Sequence, residues 1–250
     1  MLLAILNFLD YTGRITIDNI EISSISPRFL RSRVGNISQD GIELDGTLRF
    51  NLCPWTLDQN DEERQISDLA VAEMLWRLGL WETVVEKGGL DVKMSKLGLS
   101  QGQKQLMGII RCILRREATG SRLLLVDEAT SNLDEEMERT VHLLIREKFK
   151  HCTIFVVSHR EKMLKGCNLI AEMQEGKLSQ LTVQPVADTR AAFEGVLVPI
   201  VPLEVGEQLE ECQRKHLEEM ERIEREVEEE SRRGGFLNWF KAKEGRSMAE

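Results

Sequence analysis

Two short runs that are apolar almost throughout, "RLLLVDE" (122–128) and "CTIFVVSH" (152–159), flank the helical stretch "DEEMERTVHLLIREKF" (134–149). A strand that is apolar at successive positions is buried on both faces, and helices alternating with such strands cover a parallel sheet. The order predicts an α/β fold, a mostly parallel sheet with flanking helices. Around it, residues 1–9 read as a helix ended by the turn Asp10 to Gly13, and "RITIDNIEI" (14–22) alternates like one strand with an exposed face. Pro27 opens a short helix, and "VGNISQD" (34–40) is a strand running into a loop. From about 44 to 118 the patterning is helical, with Trp76, Leu78 and Trp81 at apolar spacing, and this stretch is expected to form an α-helical subdomain. "LIAEMQEGKLSQL" (169–181) reads as a hairpin turning at Glu175–Gly176.

The composition shifts after residue 182. Pro185, Pro199 and Pro202 mark 183–203 as a linker, and 204–250 as a charged helical or disordered tail. Of the net charge of -9, the segment 204–233 supplies -6, from twelve Glu against six Arg and Lys. Nothing in the charge pattern suggests a nucleic-acid groove. Five cysteines, an odd number without C-x-x-C spacing, fit reduced thiols in a cytosolic compartment. No apolar run approaches the roughly 20 residues that span a bilayer, so no transmembrane segment is expected within the chain.

The chemistry concentrates in two places. Asp127 and Glu128 end an apolar strand, which alternation would aim to opposite faces and so give different tasks. Asp127 suits Mg²⁺ through its water shell, because Mg²⁺ keeps several waters and takes few protein ligands. Glu128 is then placed to polarise an attacking water. Taken alone, the pair also admits a blander reading, a strand end capped by acids. Upstream, "LSQGQ" (99–103) opens a helix with apolar residues at Leu106, Ile109, Ile110, Ile113 and Leu114. Ser100 is a good N-cap and Gly102 permits close backbone approach, so this helix start could take an anion, although taken alone it reads first as an ordinary capped helix.

Taken together in this order, the Leu-Ser-x-Gly-Gln run, the strand ending Asp-Glu and the following Ser-x-Leu-Asp resemble the nucleotide-binding domain of ATP-binding cassette (ABC) transporters. Gln39 in "NISQD" stands at the family's Q-loop glutamine and His159 in "FVVSH" at its switch histidine. The stretch "LRSRVGNISQDGIELDGTLRFNLCPW" (30–55) is similar to the second cassette of the multidrug-resistance-associated, C-subfamily exporters. The resemblance covers residues 1 to about 182 and implies a P-loop NTPase-like sheet. It departs at Ser38 and Gly41, which stand for prolines, at Gln101, which replaces the first signature glycine, and at Cys53, which replaces an aspartate.

The resemblance implies ATP and Mg²⁺ as cofactors. It gives Gln39, Glu128 and His159 catalytic roles, with Glu128 the base, and places Gln39 and Asp127 on Mg²⁺, through water. Ser100, Gln101, Gly102 and Gln103 would meet nucleotide held by an opposite cassette, and Asp134 belongs to the D-loop across that dimer. The partners implied are a second nucleotide-binding domain and an exporter's transmembrane domains, at the cytoplasmic face of a membrane. No G-x-x-x-x-G-K-[ST] occurs in the 250 residues; Gly176-Lys177 has Leu178 after it. In the family that phosphate loop (Walker A) precedes a helix like "LLAILNFLDYTGRI", so the chain is expected to be truncated before it, with little ATP affinity of its own. Two other readings stay open: a regulatory or dimerising half-cassette, and a chromosome-maintenance or repair ATPase. The latter carries a coiled-coil insertion, whereas Gln39 and Ser100 lie only about sixty residues apart. In the tail, Leu209, Gln213, His216, Met220, Ile223 and Val227 form a seam too short for a coiled coil, and a solvated charged helix is expected.

Overall fold

The computed structural model describes residues 1–57, 66–158, 167–175, 177–184 and 203–232. The central layer is a three-stranded parallel sheet in the order β3 (Val34–Ile37), β4 (Leu123–Asp127), β5 (Thr153–Val157). Val34 pairs with Leu123 and Leu123 with Thr153, so the three strands run in register. β4 is buried from Leu123 to Val126, as its unbroken apolar run predicts. β5 carries the same pattern but lies at the sheet edge among the described residues, with Phe155 40% exposed. The expectation of a sheet covered on both faces therefore holds for β4 and fails for β5.

At the N-terminus, α1 is only Leu2–Ile5, shorter than the nine residues expected. The stretch 14–22 is a hairpin rather than one strand: β1 (Thr16–Ile17) pairs antiparallel with β2 (Ile20–Glu21). Its two turn residues, Asp18 and Asn19, sit at φ 49° and 64°. Asp and Asn tolerate the left-handed region, and two such residues in a row make the turn that matches strand twist. α2 (Pro27–Ser32) starts at Pro27 under a Ser26 cap. Its Arg31 donates to the carbonyls of Leu6 (2.9 Å) and Asn7 (2.7 Å), tying the N-terminus to the small core of Ile5, Ile22, Leu30, Val34, Leu123 and Leu125.

The larger core lies on the other side, under helices α3 (Leu48–Leu52), α4 (Asp68–Arg77), α5 (Trp81–Glu86) and α6 (Gln101–Thr119). Leu78 and Trp81 are buried in it and Trp76 packs against it. Arg49 of α3 binds Asp91 (2.9 Å) and Asp68 of α4, and these carboxylates hold its guanidinium pKa above the ordinary value despite burial. After β4 comes α7 (Glu135–Lys148), which leads into β5. The hairpin β6 (Leu169–Gln174) and β7 (Lys177–Val183) forms as the sequence suggests, with Gly176 of its turn outside the described residues.

α8 (Leu203–Arg232) corrects the expectation of a solvated tail helix. Its first turns dock: Val205, Leu209 and Cys212 are buried, the first two within the larger core. Trp81 Nε1 donates to Gln208 Oε1 at 2.8 Å, and Gln213 Nε2 to Asp68 Oδ2 at 2.5 Å. Gly89 lets the helix approach, since a Cβ there would meet Cys212 Cβ at 2.8 Å. Residues 185–202 of the linker and the segment 233–250 lie outside the described residues. No described helix is long and apolar enough to cross a membrane.

None of the five cysteines is in a disulfide. Burial pushes the Cys53 and Cys112 thiols up to about 12. Because a raised pKa marks a folded state that holds its proton, their contribution to stability is complete below about pH 9 and is lost as the pH climbs from there toward 12. Both are expected to resist thiol reagents at pH 8 until the protein unfolds, read by mass spectrometry of the native protein. Docking of α8 predicts that Leu209→Ala, at a 6% exposed position, costs about 2–3 kcal/mol in urea unfolding. Leu217→Ala, at a 61% exposed position on the same helix, is expected to cost less than about 0.5 kcal/mol.

Candidate functional site

The site is built around the first two turns of α6. Ser100 caps the helix: its Oγ accepts from Gln103 N (3.2 Å) while Gln103 Oε1 accepts from Ser100 N (2.9 Å). This reciprocal box satisfies the third helical N–H and leaves those of Gln101 and Gly102 pointing outward. Ser100 and Gln101 are exposed. The Ser100 hydroxyl accepts in the box and keeps its own proton to donate. A 19-residue helix ending in the left-handed Gly120 stands behind these groups, so the start of α6 carries the positive end of a long dipole.

Two loops press against this turn. A Cβ on Gly102 would lie 2.8 Å from Asn132 O, so glycine is needed there for the loop after β4 to reach the helix. A Cβ on Gly41 would lie 2.7 Å from the backbone of Lys104, so the loop after β3 needs glycine for the same reason. The glycine at 41, which departs from the family pattern, thus has a local cause. Further along α6, Lys104 Nζ pairs with Glu43 (3.1 Å), and Arg111 donates to the carbonyls of Ile42 (2.9 Å) and Asn51 (2.5 Å). Burial lowers the Arg111 pKa without threatening its charge. Asn51, itself fully buried, braces the same loop through Leu44 and Thr47.

The acids lie at the end of β4. Asp127 is the last strand residue and is exposed. Glu128 is outside the strand, at φ 45°, so the alternation expected of the pair does not apply. A left-handed glutamate costs about 1–3 kcal/mol and persists only where its surroundings hold it. Here Glu128 N donates to Val157 O (3.1 Å), while Ala129 and Thr130 turn inward and are buried. Thr130 Oγ1 donates to the buried carboxylate of Glu138 on α7 (3.0 Å). Asp134 caps α7, accepting from Met137 N at 2.8 Å, so it has a structural task whatever else it does.

Of the residues singled out in the sequence, Ser100, Gln101, Gly102, Gln103 and the backbone of Gln39 gather at the start of α6, where the Gln39 side chain is exposed. Asp127 and Glu128 sit at the strand end, and Asp134 closes the loop between the two groups. His159 lies outside the described residues. His142 and His151 stay apart from the site; burial lowers the His142 pKa. Sequence reading missed Gln105 and Glu138. Each is a polar residue on an apolar stripe, four residues before Ile109 and three before Val141, and that placement was the available signal.

Among the described residues no cluster of three or more His, Cys, Asp or Glu side chains could hold a metal alone. Two carboxylates at a strand end suit Mg²⁺ when phosphate oxygens and water complete its shell. The open N–H groups of α6 suit phosphate.

Comparison with known proteins bears on what this arrangement is. The family profile described as ABC transporter matches residues 1–131. Multidrug resistance protein mrp-7 of Caenorhabditis elegans is 35% identical over 185 residues, covering 72% of this chain and 11% of that protein. ABC multidrug transporter B of Aspergillus fumigatus is 33% identical over 67% of this chain and 11% of its own length. Human ATP-binding cassette sub-family C member 2 is 33% identical over 66% of this chain and 10% of its own length. The chain thus spans about a tenth of the length of the curated relatives it matches. In fold it is similar to a bacterial Atm1-family ABC exporter solved with ATP bound, at a TM-score of 0.61 and 24% identity, over 73% of this chain and 31% of that one. The chain belongs to the ABC transporter family, as a nucleotide-binding domain.

Proposed function

We propose that this chain couples ATP binding and hydrolysis to export of a solute, by completing a nucleotide site shared with a second cassette. The observation that carries the reading is the start of α6: a capped, exposed helix end with two open N–H groups and a free hydroxyl proton. In the proposal Ser100, Gln101, Gly102 and Gln103 bind the terminal phosphate of ATP cradled by the partner. On the chain's own nucleotide side, which needs a phosphate loop in cis, Asp127 and Gln39 would hold Mg²⁺ through water, Glu128 would take the proton of the attacking water and His159 would meet the γ-phosphate, while Asp134 keeps its loop at the interface. Mg²⁺ supplies charge neutralisation on the phosphate oxygens.

The donor set fits one side of such a site. The other side, a loop of N–H groups with a lysine around the β- and γ-phosphates, is not among these 250 residues. Hydrolysis is therefore assigned to the shared site and not to this chain alone. We assign residues 1–182 to the cassette, with its helical subdomain at about 44–118, 183–203 to a linker and 204–250 to the tail. The partners in this reading are a second cassette and the transmembrane domains of an exporter, at the cytoplasmic face of a membrane.

The chain by itself is expected to bind ATP with a Kd weaker than about 1 mM in titration calorimetry. Mixed with a cassette that carries an intact phosphate loop, it is expected to associate when Mg²⁺–ATP is added, as read by sedimentation velocity. No association at saturating nucleotide would sink the proposal. Ser100→Asp separates this role from folding. Asp is as good an N-cap as Ser, so the thermal midpoint should move by less than about 2 °C. Its charge faces the incoming phosphate, so nucleotide-dependent association should weaken at least about tenfold.

A further inference from the structure

We propose that Gln105 is a positioning residue that locks the Gln39 loop and the loop after Asp127–Glu128 into one geometry. This rests on the reading of the site just given, in which both loops carry functional groups. Gln105 is 2% exposed. Its Nε2 donates to Gln39 O (2.8 Å) and to Ser131 Oγ (3.1 Å), and its Oε1 accepts from Asn132 N (3.2 Å). One planar amide therefore touches three points on two segments, 66 residues upstream and 26–27 residues downstream of it.

The amide can sit only one way. Turning it over would set Nε2 against the Asn132 N–H, donor against donor, and Oε1 against the Gln39 carbonyl, acceptor against acceptor. A leucine at this point would extend the apolar stripe of α6 and bury no polar group, so packing alone does not call for glutamine. It would also remove three part-buried hydrogen bonds, each worth about 0.5–1.5 kcal/mol. The two glycine contacts support the same assignment independently. Gly102 against Asn132 O and Gly41 against Lys104 bring the two loops within reach of a single side chain, both on the stretch 102–105. Because the three bonds share one rigid group, displacing either loop displaces the other. Two flexible links would not do this.

The test is made on the full chain without nucleotide, so it does not depend on any partner. In the wild-type protein the Gln105 side-chain amide protons are expected to exchange at least about tenfold slower than those of exposed glutamines in NMR spectra. Ser131→Ala, which removes one of the three partners, is expected to shift the Gln39 carbonyl and Asp40 amide signals. In a Gln105→Met background the same Ser131→Ala change should move those signals by less than about a fifth as much, which is the non-additivity that defines coupling. Equal shifts in both backgrounds, no shift in the wild type, or side-chain exchange as fast as at the surface would each overturn the proposal. A glutamine that merely fills space would lower stability in the variant and leave the shifts additive. If Gln105→Met fails to fold, side-chain exchange and the Ser131→Ala shift in the wild type decide. Failure of ATP-dependent association would count against the shared site and leave this measurement standing, so the two are separable.

Discussion

The grip of α6 on the chain segment 39–51 is the contact on which the rest of the site depends. Lys104 and Gln105 on one turn of that helix hold Glu43 and Gln39, and Arg111, nearly two turns further on, holds Ile42 and Asn51. The helix also packs against β3, where Gly35 leaves room for the Cys112 sulfur. A long helix is stiff, and side chains on one face keep fixed spacing along it. The loop after β3 therefore takes its position from α6 as well as from its own bonds through Ser38 and Asn51. The same first turn receives the loop after β4 at Gly102. Sheet, helical subdomain and both loops meet on one rod, so a force on the exposed start of α6 is felt by each.

Glu128 shows the other side of that arrangement. A strand that simply ran on would alternate its acids across the sheet, and only one would face the strand end. The chain instead takes a left-handed step at Glu128 and then buries Ala129 and Thr130, with Thr130 bonded to the buried Glu138 of α7. The strained step and the buried anchor are complementary: Thr130 and the ladder bond to Val157 supply the hold that the step requires. Removing the anchor would free the strain, which is why Glu138 matters to a site it does not reach.

What the sequence made legible was local. The apolar run of β4, the Ser100 cap with Gln103 three residues on, and the amphipathic stripe of α7 each state their structure within a few residues, and each forms. What escaped it was set by distant partners. The docking of α8 depends on Gly89, Trp81 and Asp68, more than a hundred residues away, and the short seam from Leu209 does not say which surface it meets. The hairpin at 16–21 hid inside an alternating run because Asp18 and Asn19 also keep the polar beat of a strand. Gln105 carried a signal in its place on the apolar stripe, but its three partners lie 26 to 66 residues away and nothing local names them. The pattern of β5 was read as fully covered, and only its β4 side is paired among the described residues.

Under the proposed reading this division has a thermodynamic consequence. The open N–H groups of Gln101 and Gly102 are worth little to nucleotide in water, where a single helix end competes with bulk solvent. Closed against a partner's phosphate loop, the same groups act in a desolvated gap and gain strength. Nucleotide affinity and the affinity of the two cassettes for each other are then one coupling free energy, and each must raise the other by the same factor. A mutation at the start of α6 should therefore weaken the partner's hold on ATP only when this chain is present. The lock at Gln105 fits that logic: if the free energy appears only on closure, the loops that meet the nucleotide must be in place beforehand, because ordering them at that moment would subtract from it.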